Sequence, residues 1–166
     1  MWIKLNGASG TGKSTLSKSV AFRLNSIPES LSIQEQKILH KYEKEFNTIL
    51  KENESRSVTY IANLISSNKY FDVTKNNNNE ILNLFNVSEY NLHFSEGEAQ
   101  RFNFQEALAT GADLLIMDEC LSGLPEPFEL EILIFLKKNL SNINLLYISH
   151  RRNADIDKLF EMELSL

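Results

Sequence analysis

The stretch GASGTGKS, residues 7–14, decides how this chain is read. It matches the pattern GxxxxGK[ST] in full. Gly7, Gly10 and Gly12 let the backbone curl so that successive N–H groups point inward at a phosphate. Lys13 then reaches toward β- and γ-phosphates, and the Ser14 hydroxyl suits a magnesium ion, which prefers hard oxygen ligands and keeps several waters. The flanks agree with the motif. Residues 3–5 form a short strand, and Leu16, Val20 and Leu24, four apart, predict a helix over 14–24 that Pro28 closes.

Further along, DLLIM at 113–117 is a continuous apolar run of the kind buried in parallel sheets. Asp118 and Glu119 follow at its carboxyl end, where open α/β sheets bind ligands. Two adjacent carboxylates can divide labour: Asp118 holds magnesium through its water shell, and Glu119 orients or deprotonates an attacking water. Residues 145–148 are the next buried strand, and His150 ends NLLYISH on the same rim, placed to donate a hydrogen bond to a γ-phosphate. Between the two strands, Pro125 and Pro127 with Glu126, Glu129 and Glu131 open a helix that closes on Lys137 and Lys138, a charge order that suits the macrodipole. Residues 32–67 are polar and less regular; a short strand around Ile38 and Leu39 and a helix near 58–65 are expected there. Another helix is predicted from Ser95 to about Thr110, with Gly111 as its cap. Strands alternating with helices give an α/β fold with a largely parallel central sheet.

Composition narrows the options. A chain of 166 residues is long enough for one domain with a proper core and short for two. The formal charge of −5 comes without a run of Lys or Arg, so nucleic acid is not an expected partner. Cys120 is the only cysteine, which excludes an internal disulfide and a cysteine-based zinc site and fits a reducing compartment. No apolar run approaches the roughly 18 residues of a spanning helix, and residues 1–13 lack the apolar core of a secretory signal. The Asn tract at 76–79 reads as a surface loop.

FSEGEAQRF, residues 94–102, is a second Ser/Gly loop at a helix mouth, too acidic to hold a phosphate by side-chain charge. Taken in order, GASGTGKST, FSEGEAQR, LLIMDE, SGL and YISH resemble the Walker A, signature, Walker B, D-loop and switch-histidine series of ATP-binding cassette (ABC) ATPases. That resemblance spans nearly the whole chain. It implies a P-loop NTPase fold with a helical signature subdomain, as one domain over 1–166: core sheet at 1–40 and 111–166, helical signature region at about 41–110. It implies ATP and Mg2+ as ligands, with Gly7, Ala8, Ser9, Gly10, Thr11, Gly12, Lys13, Ser14 and Thr15 binding nucleotide and Lys13, Glu119 and His150 catalysing hydrolysis. Ser95, Glu96, Gly97 and Glu98 would face the ATP of a second copy or related cassette. There Ser95 offers a hydroxyl, Gly97 a close N–H and the helix its positive end, while Glu96 and Glu98 point away. The metal set is Ser14, Asp118 and, at the family's Q-loop position, His40, with Gln34 and Gln36 nearby.

NVSEYNLHFSEGE, with Glu89 at an acidic loop position, FNTILKEN at 46–53 and SHRRNADIDKLFEMEL are similar to segments of exporter-type transporter cassettes. They imply a cytoplasmic subunit, peripheral at the inner face of the cell membrane through a separately encoded permease. GEAQR is also similar to the signature of DNA-repair cassettes, and a non-hydrolysing nucleotide-binding relic is the third reading. Departures from the pattern are Pro125 in place of the D-loop Asp, six residues ahead of Gly7, and a short gap to His40. These imply a reduced or absent antiparallel β subdomain and no adenine-stacking aromatic, with Trp2 assigned to core packing. Weak nucleotide affinity and poor base selectivity are expected.

Overall fold

The computed structural model describes residues 1–27, 29–54, 56–62, 112–122 and 124–166. Five strands, β1 (Trp2–Asn6), β2 (Val58–Ala62), β3 (Leu114–Asp118), β4 (Asn144–Ile148) and β5 (Met162–Ser165), form one sheet in the order β2-β3-β4-β1-β5. Every pair is parallel, with Trp2 opposite Leu145, Ile3 opposite Met162, Leu114 opposite Asn144 and Val58 opposite Leu114. Parallel sheets need cover on both faces. On one face lie α1 (Lys13–Leu24), α2 (Ile33–Lys41) and α3 (Glu43–Glu52); on the other lie α4 (Glu126–Asn139) and the short α5 (Ala154–Asp157).

Strand alternation produces two cores. Ile3, Leu5, Leu114, Ile116, Leu146 and Ile148 point toward α1 and α3, against Leu16, Val20, Phe46 and Ile49. Their neighbours Trp2, Leu115, Met117, Leu145 and Tyr147 point the other way, against Ile132, Leu133 and Leu136 of α4. Each large apolar side chain buried this way contributes about 1.5–3 kcal/mol. Trp2 packs as expected: its Nε1 donates to Ile143 O at 3.2 Å and its ring lies 5.8 Å from that of Phe160. It belongs to the α4 core, across the sheet from α1.

Three segments differ from the sequence expectations. Ile38 and Leu39 are helical, within α2, because Ser32 and Glu35 close a capping box: Ser32 Oγ accepts from Glu35 N and Glu35 Oε2 accepts from Ser32 N. The expected helix near 58–65 is instead strand β2, over Val58–Ala62; its run of β-branched and aromatic residues pairs with β3. The tail beyond His150 adds β5, which pairs with β1 and carries Leu164 into the α1-side core. The helix expected from Ser95, with Ser95, Glu96, Gly97 and Glu98, and the loop at Glu89 lie outside the described residues.

Candidate nucleotide site

The loop between β1 and α1 is shaped by close contacts. At Gly7, with φ +151°, a Cβ would stand 2.8 Å from Thr11 Oγ1 and 2.9 Å from Leu166 O. At Gly12, with φ +100°, it would stand 2.5 Å from Ile38 Cγ2 of α2. Gly12 is also the N-cap of α1 and brings no side chain to it, which leaves the first-turn N–H groups for another acceptor. Ala8, Ser9, Gly10 and Ser14 are exposed, and Thr11 and Thr15 half-buried.

Lys13 is buried and folds back over the loop, its Nζ donating to Gly7 O at 2.9 Å and Ala8 O at 2.8 Å. Burial holds its pKa below the usual lysine value, and the charges of Glu119 and Asp118 oppose that shift. This places both acidic residues within electrostatic reach of the ammonium. Asp118, the last residue of β3, is only 4 % exposed. Its Oδ2 accepts from the phenol of Tyr60 at 2.6 Å, while its Oδ1 is buried with no hydrogen-bond partner among the described residues. Glu119 follows with φ +55°, its N–H donating to Ile148 O at 3.0 Å. A left-handed conformation costs a non-glycine residue about 1–2 kcal/mol, and here it turns the Glu119 side chain off the strand path to meet His150 Nε2. The sheet thus brings Lys13, Asp118, Glu119 and His150 to its carboxyl edge beside the loop.

His40 stands apart. It is exposed in the last turn of α2 and makes no hydrogen bond or ion pair among the described residues. The strand whose carboxyl end borders Asp118 is β2, through Ala62. Sequence reasoning also missed Tyr60 and Arg151. Arg151 donates to Glu129 Oε2 at 2.7 Å, Leu124 O at 2.7 Å and Ser122 O at 2.6 Å. It therefore ties the segment beyond His150 to the segment beyond Glu119. Pro125 fits its place, with φ −57° at the start of α4 and its carbonyl accepting from Phe128 N and Glu129 N. The donors present suit magnesium: a buried carboxylate oxygen of Asp118 is without a hydrogen-bond partner among the described residues, and Ser14 is exposed. No cluster of three His, Cys, Asp or Glu residues that could hold a metal occurs among the described residues.

A parallel sheet with a GxxxxGK[ST] loop after its first strand and an acidic pair at the edge of another defines a P-loop nucleotide-binding protein. More narrowly, the family described as ABC transporter matches residues 1–122, and the chain belongs to that family. Among its relatives, the molybdenum import ATP-binding protein ModC of Mannheimia succiniciproducens is 28% identical over 173 residues, covering 94% of this chain and 47% of that protein. The methionine import ATP-binding protein MetN 2 of Bacillus cereus is 32% identical over 166 residues, covering 89% of this chain and 49% of that protein. The chain spans about half the length of these curated relatives. A dimeric ATP-binding cassette in a post-hydrolysis state, bound to ADP and Pi, shares the fold with a TM-score of 0.62 at 15% identity, over 99% of this chain and 80% of that one.

Proposed function

We propose that this chain is a Mg2+-dependent ATPase cassette, one domain over residues 1–166, that powers a separately encoded membrane transporter from the cytoplasmic side. The observation that carries this reading is the meeting of Glu119 and His150 at the sheet edge within electrostatic reach of Lys13. Residues 7–15 cradle the nucleotide phosphates, with the loop N–H groups and the amino end of α1 turned to negative charge. Lys13 exchanges its bonds to Gly7 O and Ala8 O for β- and γ-phosphate oxygens. Ser14 and Asp118 would hold magnesium, which supplies charge neutralisation to the phosphates when bound. Glu119 orients a water and takes its proton as the water oxygen attacks the γ-phosphorus and the bond to the bridging oxygen of ADP breaks. His150, held in place by Glu119, donates a hydrogen bond to the γ-phosphate. Ser95 and Gly97 from a second copy complete the charge stabilisation across the interface. His40, in the last turn of α2, is the third group of the proposed metal set, at the Q-loop position.

The relatives named as import ATP-binding proteins support a transporter partner and favour import. The segments around Glu89 and after His150 speak for export. Identifying the permease that co-purifies from cells expressing the neighbouring genes decides the direction, and co-purification with no membrane protein counts against a transporter role. The ATPase reading is tested by light-scattering mass of Glu119→Gln with and without MgATP. The expected result is a dimer that requires ATP and is lost on adding Ser95→Arg. A monomer at saturating MgATP sinks the two-copy site.

A further inference from the structure

We propose that Tyr60, backed by Ser17, is a positioning residue that fixes which oxygen of the Asp118 carboxylate faces the cation accompanying the nucleotide. This deepens the function proposed above and rests on it. A carboxylate on a single Cβ–Cγ bond rotates over a broad range. In a buried site it stops where its oxygens find donors, because each one left without a partner costs about 1–3 kcal/mol. Among the described residues Asp118 has one such donor: the Tyr60 phenol at 2.6 Å holds Oδ2, so Oδ1 is the buried oxygen without a partner there.

The donor is well secured. Tyr60 sits on β2 opposite Ile116, one inward-facing step before the Ala62–Asp118 pair, on the sheet face covered by α1. Burial, and then the hydrogen bond to Asp118, push its phenol pKa upward, so it stays a donor throughout the physiological range. Behind it, Ser17 is fully buried within hydrogen-bond reach of the phenol, and its hydroxyl donates to Ser14 O at 3.1 Å. Tyr60 therefore holds Asp118 on β3 directly, and Ser17 fills the space behind the phenol. Asp118 is one of the residues assigned to the cation, with Ser14 at the head of α1 another. A phenylalanine would fill the same volume and lose the hydrogen bond to Asp118.

The test is isothermal titration of the full chain with ATP in excess Mg2+ and with ATP in EDTA, comparing wild type with Tyr60→Phe. Tyr60→Phe is expected to bind metal-free ATP as wild type does and to bind MgATP about tenfold more weakly, the scale of one hydrogen bond to a charged group. Substituting Mn2+ and reading its electron paramagnetic resonance spectrum gives an independent signal: the bound-ion spectrum should broaden in the variant. Equal weakening with and without metal would mark Tyr60 as packing only, and unchanged binding in both would remove its role; either overturns the inference. If Tyr60→Phe lacks the wild-type circular dichroism spectrum, Ser17→Ala enters the same titrations, with a smaller metal-dependent loss expected and no loss counting against the proposal. Wild type that binds ATP equally with and without Mg2+ refutes the cation assignment itself and takes this inference with it. Wild type that shows the metal effect while Tyr60→Phe retains it refutes this inference alone.

Discussion

At Glu119 the backbone adopts φ +55°, and the side chain meets His150. Local strain retained at a sheet edge fits a side chain that must be aimed. Glu119→Gln keeps the shape and removes the base, so phosphate release from MgATP should fall at least about 100-fold while nucleotide binding persists. A fall in both together would recast Glu119 as a binding group. Gly12 is constrained from two sides, by φ +100° and by Ile38. Gly12→Ala should lower stability in urea by about 1–3 kcal/mol, and adding Ile38→Ala should recover the steric part but not the backbone part. Full recovery would show that the contact alone matters. Lys13, Asp118, Glu119 and His150 were legible in the sequence because each lies in or beside a motif whose chemistry dictates the residue type. Tyr60 was not, since its role comes from the strand beside it in space and not from its neighbours in the chain.

At the scale of elements, short-range pattern explains both the successes and the errors. The SxxE signature of α2 was present at Ser32 and Glu35, yet two apolar residues at 38 and 39 drew the strand reading. For β2 the local spacing suggested a helix, and pairing with β3 prevailed. A surface clip sets that pairing: Asp113 Oδ2 accepts from Ser57 N at 3.1 Å and Ser57 Oγ at 2.8 Å. These bonds hold the Asp113 carboxyl below its ordinary 3.8, so their stabilising effect is present above that value and is lost as pH falls through the lower folded-state value. Asp113→Ala should therefore lower Tm at neutral pH, with the gap to wild type closing in strong acid; a gap independent of pH would reject the clip. On the other face, Glu129 is 1 % exposed and accepts from both Tyr147 and Arg151. Glu129→Ala should cost about 3 kcal/mol in denaturant unfolding, the low end for a buried pair broken on one side, because Arg151 keeps some contact with water. A loss below about 0.5 kcal/mol, the range of an ordinary surface substitution, would show that the pair adds nothing.

For the molecule as a whole, the layered α/β plan followed from alternating strand and helix signals, whereas the strand order did not, because parallel neighbours are joined by long connections that leave no local trace. The burial of Trp2 in the α4-side core removes the one aromatic near the loop in sequence from any contact with a base there. ATP and GTP should accordingly bind with similar, weak affinity in side-by-side titrations; low-micromolar ATP binding far tighter than GTP would contradict this. Strand order also bears on how the protein is made. Of the five strands, β1 is made before the other four; it lies between β4 and β5, and both of its partners follow more than 130 residues later. At roughly 5–20 residues per second, on the order of ten seconds of synthesis separate Trp2 from Leu145. For that interval the nascent chain carries an apolar strand, followed by a phosphate loop, with no edge to join, which makes it a natural client for chaperones that shield emerging chains.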